Sequence, residues 1–164
     1  MSTATTIGCR CETTLAGDAH FCQCTYHALT TITNRQGCPA TRFAAAADTY
    51  YLYRFVSAAG AESELMKRVA ATNTSLATFD DSTPAIDTDY VLKLTSTSGN
   101  LHTCTRDGVD KISNHSNADI TGNVRAGVMV RAPAAGAGTA NVHAVSAEDL
   151  AAGGDGTDFP WAAF

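Results

Sequence analysis

Tight-turn signals recur about every ten residues along this chain, and the segments between them alternate in polarity with a period of two. Ser98-Gly99-Asn100 separates Tyr90–Thr95 from Leu101–Arg106, and Asp107-Gly108 leads on into Val109–Ser113. Leu15-Ala16-Gly17-Asp18 lies between residues 4–13 and 20–33 and predicts a hairpin. The aromatic run Tyr50–Val56 is followed by Ala59-Gly60 and then by Glu64–Val69, its expected partner. Val124–Arg131 and Thr139–Val145 read as two more strands, divided by a Pro, Ala and Gly loop over Pro133–Gly138. An α/β plan needs helices of about 10–15 residues between strands, and only residues 61–71 hold enough helix formers to compete. The sequence therefore predicts an all-β antiparallel sandwich or jelly roll of about eight to ten strands. It occupies residues 1–147, followed over 148–164 by a Gly-rich linker and an extended aromatic tail.

Composition narrows the function. Leu, Ile, Val and Phe number 29 of 164 residues, a share that borders on disorder, but only 16% of residues are charged and the net charge is −5. Such weak self-repulsion does not hold a chain expanded, so an ordered, Ala-rich domain is expected. With 11 basic residues against 16 acidic ones and a pI of about 5.4, no basic stripe for nucleic acid is present. No apolar run approaches the ~20 residues that cross a bilayer, and Met-Ser-Thr-Ala-Thr-Thr lacks the basic start and apolar core of a signal peptide. Synthesis in a cytoplasm is the expectation, with the six cysteines as thiols or metal ligands.

Asp89-Tyr90-Val91-Leu92-Lys93-Leu94, Gly99, Arg106-Asp107-Gly108-Val109, Asp119-Ile120-Thr121-Gly122-Asn123 and Ala126-Gly127-Val128 fall in order over residues 89–147. This series resembles the closing five strands of the concanavalin-like/laminin-G-like jelly roll, of the kind found in bacteriophage virion proteins. The Tyr51–Ala77 segment looks like that family's central strand pair. The resemblance implies a fold more than a function, because lectins, glycanases, adhesion modules and virus particle proteins share this sandwich.

Cys9, Cys11, Cys22 and Cys24 lie symmetrically about Ala16-Gly17, so the expected hairpin sets Cys9 opposite Cys24 and Cys11 opposite Cys22 on one face. A thiolate metal site and two cross-strand disulfides are both weaker readings than four small core hydrophobes. C-x-C on a flat strand spreads its sulfurs too widely for zinc, and facing strand pairs suit disulfides poorly. Cys38 and Cys104 also read as core, and no cofactor is expected.

Glycoside hydrolysis on this fold rests on carboxylates along one strand, as in E-x-D-x-x-E. The four glutamates Glu12, Glu62, Glu64 and Glu148 make no such run, and Glu62 and Glu64 read as an exposed hairpin end. His20, His27, His102, His115 and His143 have no ligand spacing and read as surface or pairing residues, so no enzyme is expected. Carbohydrate binding needs less: an exposed aromatic and a few polar groups. Tyr50 and Asp107 are its candidates, with Asp80-Asp81 or Asp107 as oxygen ligands for calcium, while alternation sends Tyr51 and Tyr53 to the core.

Without a catalytic constellation, the chain reads first as a structural protein of a bacteriophage virion, made in the host cytoplasm, in a capsid decoration or head/tail accessory role. Phe159, Trp161 and Phe164, tethered beyond Gly153-Gly154-Asp155-Gly156, are the expected anchors on other virion subunits, either a major capsid protein or copies of itself. A lectin-like module for host attachment, with surface glycans as partners, is the alternative.

Overall fold

A computed structural model of the chain describes residues 6–10, 15–28, 36–44, 48–56, 63–80, 85, 87–131 and 140–150. In chain order the strands are β1 (Thr6–Arg10), β2 (His20–Ala28), β3 (Gln36–Thr41), β4 (Tyr50–Val56), β5 (Ser63–Val69), β6 (Thr72–Phe79), β7 (Thr88–Ser96), β8 (Leu101–Arg106), β9 (Val109–Ser116), β10 (Gly127–Arg131) and β11 (Ala140–Asp149). They form a jelly-roll sandwich of two antiparallel sheets. One has six strands in the order β1-β10-β3-β4-β5-β6, the other five in the order β11-β2-β7-β8-β9.

The β4–β5 hairpin and the β7–β8–β9 meander match the sequence expectation, and residues 63–69 are strand rather than helix. The N-terminal hairpin does not form. β1 pairs with β10 in one sheet, while β2 lies in the other between β11 and β7, so Cys9 sits opposite Val128 rather than Cys24. Cys11 lies outside the described residues. The reason is burial: Cys22, Cys24 and Tyr26 alternate inward on β2 and need a sandwich partner across the core, which a local hairpin cannot supply. β11 runs to Asp149, so Glu148 and Asp149 belong to the sheet rather than to a linker.

The core is assembled by alternation. Cys22, Cys24, Tyr26, Leu92, Leu94, Cys104 and Ile112 of the five-stranded sheet meet Tyr51, Tyr53, Phe55, Leu65 and Val128 of the six-stranded one. Of the cysteines expected in the core, Cys22, Cys24, Cys38 and Cys104 are buried there, while the Cys9 and Cys11 side chains lie outside the described residues. Burial raises the Cys24 and Cys104 thiols well above the usual range, which keeps them protonated, and Cys22 Sγ donates to the Gly127 carbonyl at 3.1 Å. Tyr26 meets Phe55 edge-on with ring centres 5.8 Å apart.

A polar row crosses this interior. Thr41 Oγ1 bonds Ser96 Oγ (2.7 Å), Ser96 Oγ bonds His102 Nδ1 (2.9 Å), and His102 Nε2 bonds the Asn117 carbonyl (3.0 Å). Tyr51 hydroxyl donates to Asn117 Oδ1 and accepts from Ile120 N–H. His20 and His102 are both fully buried and hydrogen-bonded, so of the surface or pairing roles expected they take the second. A Ser–His contact in this place is structural, because neither side chain reaches solvent.

Beside the row lies Arg42, also without solvent exposure. Its Nε donates to the Asp18 carbonyl (3.0 Å), Nη1 to Asn100 Oδ1 (2.7 Å) and the Ile120 carbonyl (2.8 Å), and Nη2 to the Thr97 carbonyl (2.6 Å). Its backbone N–H, at φ 54°, donates to His20 Nε2 at 3.0 Å. Loss of this side chain leaves several buried acceptors unanswered. Arg42→Met is therefore expected to destabilise the fold by about 3–5 kcal/mol, measured by urea unfolding with an unchanged denaturant slope.

Histidine titration gives a second check. Burial drives His102 down to about 4 and lowers His20, whereas a hydrogen bond donated to the Asp89 carboxylate, with Asp87 nearby, raises the half-buried His27. A depressed histidine favours folding while neutral, so its contribution is full above pH 6.5 and is lost as pH falls toward 4. Ring-proton NMR is expected to show His27 charging above free imidazole and His102 staying neutral to near pH 4, with the melting temperature falling across that window.

Candidate functional site

Alternation that sends Tyr51, Tyr53 and Phe55 inward turns Tyr50, Leu52 and Arg54 to the opposite side of the six-stranded sheet. The β4–β5 register sets each beside a partner: Tyr50 by Arg68, Leu52 by Met66, Arg54 by Glu64. Cys38, Ala40, Phe43, Tyr50, Leu52 and Met66 form a second apolar cluster there, with Met129 against it. Phe43 packs on Tyr50 with ring centres 4.5 Å apart.

Two charged groups flank this strip. Arg68 Nε and Nη2 both reach Asp48 Oδ2 at 2.6 Å, and Nη1 donates to Asn73 Oδ1 at 2.8 Å, linking the approach to β4 with β5 and β6. The hydrogen bond to Asp48 raises the Arg68 guanidinium further above its usual range. On the other side Arg54 Nη2 pairs with Glu64 Oε2, and among the described residues the buried Arg54 Nε has no hydrogen-bond partner. Glu64 is thus an ion-paired residue of a sheet face, with only 6% of its side chain exposed, and not the exposed hairpin end expected; Glu62 lies outside the described residues. Tyr50, Leu52, Glu64 and Met66 on this side are each less than 10% exposed, so the groups it leaves open to a ligand lie at its margin: Asp48, Arg54, Arg68 and Asn73. Next to it β6 exposes Thr72, Asn73, Thr74 and Ser75. Fixed donors and acceptors beside an apolar strip suit a ligand carrying many hydroxyl groups.

Of the residues anticipated from sequence, Tyr50 lies on this side of the sheet but is only 4% exposed, packed in the cluster rather than offered as the exposed aromatic expected, and Asp107 lies elsewhere. Asp107 sits in the β8–β9 turn of the other sheet at φ 52°, where its Oδ1 accepts from Val91 N–H (2.8 Å) and its own N–H donates to the Val91 carbonyl (2.9 Å). That carboxylate holds a turn. Asp80 is exposed just past β6, and Asp81 lies outside the described residues, as do Phe159, Trp161 and Phe164. Among the described residues no group of three or more His, Cys, Asp or Glu is placed to hold a metal.

No protein-family model matches the sequence, and no curated protein matches it. Solved structures do match in fold. The carbohydrate-binding module CBM66 from Bacillus subtilis is 15% identical with a TM-score of 0.64, covering 91% of this chain and 97% of its own. A tetrameric galectin from the ball sponge Cinachyrella sp. is 10% identical at 0.61, covering 88% and 99%. Sheep galectin-11, in complex with glycerol, is 5% identical at 0.53, covering 90% and 98%. The jelly-roll sandwich is therefore the fold of proteins named as carbohydrate-binding modules and galectins.

Burial, and then the neighbouring Asp48 carboxylate, pushes the Tyr50 hydroxyl up to about 12. The neutral phenol favours folding below pH 10, and that contribution is lost as pH rises through 12. Ultraviolet titration of Tyr50→Phe is expected to lack one tyrosinate that forms near pH 12 in the parent protein.

Proposed function

We propose that this chain is a lectin-like module that binds glycans at the margin of the second apolar cluster, where Arg54, Arg68, Asp48 and the exposed residues of β6 lie. The observation that carries the reading is the pairing of Arg54 with Glu64 and of Arg68 with Asp48 and Asn73 on both sides of the Leu52–Met66 strip. Rigid guanidinium and carboxylate groups accept and donate at fixed spacing, which is how adjacent sugar hydroxyls are told apart from water. Likeness in fold to carbohydrate-binding modules and galectins supports it. The virion role read first from the sequence drew on Phe159, Trp161 and Phe164, which lie outside the described residues, so the lectin-like alternative takes first place.

Glycan-array screening followed by calorimetry on the best ligand tests the proposal. Arg68→Ala and Glu64→Gln are each expected to weaken binding by about 10–100-fold, the worth of a hydrogen bond to a charged group. Thr95→Ala, on the five-stranded sheet, is expected to bind as the parent does. Absence of any glycan ligand, or binding indifferent to both site variants, removes the reading.

A further inference from the structure

A neutral imidazole can donate a hydrogen bond from only one of its two ring nitrogens. At His27 on β2 both nitrogens face carboxylates. Nδ1 lies 2.5 Å from Asp89 Oδ1 on β7, and Nε2 lies 3.5 Å from Asp87 Oδ1 just before that strand. Only the imidazolium can donate to both. Asp89 is shared in turn, because its second oxygen, Oδ2, stands 3.8 Å from His143 Nε2 on β11. β2 lies between β7 and β11, so this carboxylate reaches over the middle strand and ties an edge strand to an inner one. The next positions along the same face, Thr25 and Val91, carry no charge. Beyond them are Asp107, which accepts from Val91 N–H, and Lys93, which stands over the Phe21 ring.

The tied strand is divided in two. Its register against β2 shifts between His143 and Ser146, where Ala144 takes φ 49°. The second half, Ser146–Asp149, is secured past its ladder by Leu150 N–H on the Ala19 carbonyl (2.7 Å). Such an irregularity interrupts the ladder, so the first half can open while the second stays paired.

We propose that Ala140–His143 is a proton-operated strap on β2, drawn down by charged imidazoles at His27 and His143 and loosened when they become neutral. With both rings neutral, Asp87 and Asp89 repel across His27, and His143 has no charge to hold it to Asp89. The hydrogen bond to Asp89 raises His27, so its contribution is full below pH 6.5 and is lost as pH rises through the raised value. Opening bares the edge of β2 over Thr25–Ala28, whose backbone N–H and C=O groups are what another strand pairs with. None of these groups lies at the margin where glycans are placed.

Amide hydrogen exchange of the full chain, read as protection factors at about pH 5.5 and about pH 8.5, brackets the range in which histidine changes charge. Protection of Ala140–His143 is expected to be about three- to tenfold higher at the acid pH, the worth of a few exposed ion pairs, with no rise over Ser146–Asp149. The sign is opposite to that of the buried His20 and His102, which make the fold lose stability in acid, so a global change cannot imitate it. Asp89→Asn is expected to abolish the difference. Equal protection at the two pH values overturns the proposal, as does a rise shared by the whole of β11 or one that survives Asp89→Asn. Should that variant lose its folded circular dichroism, His143→Gln takes its place: a smaller pH difference supports the strap, and an undiminished one overturns it.

Discussion

A guanidinium with no access to water needs every N–H answered, and at Arg42 the answers come from stretches remote in sequence: the loop before β2, the turn between β7 and β8, and the segment that leads to β10. Three of its acceptors are backbone carbonyls. Asp18 Oδ2 is 3.6 Å away, so the clamp is chiefly a matter of geometry rather than of charge pairing. The positive φ of Arg42 aims its N–H at His20, which must then be neutral, and its charge helps to lower both His20 and His102. The adjoining Thr41 begins the row that ends at Tyr51 and Ile120. One buried cation thus fixes the loop positions at its end of the sandwich and adds to the burial that keeps both histidines neutral.

Where structure arises from neighbours in the chain, it was legible in advance. The β7–β9 meander follows from Ser98-Gly99-Asn100 and Asp107-Gly108, and the inward turn of Tyr51 and Tyr53 follows from alternation. β3 was missed because Pro39 argues against an inner strand; the β3–β4 ladder pairs at Gly37 and Ala40 and skips the residues between them. The Cys9–Cys24 symmetry misled for a related reason. Local spacing cannot tell a hairpin from two strands sent to opposite sheets when both bury the same face. Arg42 gave no sequence signal at all, since its partners are carbonyls that any residue supplies. The site is a middle case: Tyr50 was singled out, whereas Arg54 and Glu64, and Tyr50 and Arg68, become neighbours only once β4 and β5 are paired.

That pairing also explains how a single sheet serves two interiors. The odd residues of β4 build the main core, while its even residues build a smaller apolar cluster edged by ion pairs. Leu52 and Met66 fix the spacing of the charged groups to either side, so packing on one face and chemistry on the other are constrained by the same register.

The order of strands sets an order of assembly. β10 lies between β1 and β3, and β11 lies beside β2, so each sheet places its late strands against its earliest ones. During synthesis β2 and β3 must wait for residues 127–149 before their second neighbours exist, while β4–β5 and β7–β9 can close as soon as they leave the ribosome. Loop-closure entropy makes such long-range pairings slow. Nascent chains therefore carry two unfinished sheets with bare inner edges, and a chaperone that shields β2 and β3 would act on the interval in which this domain is most exposed to aggregation.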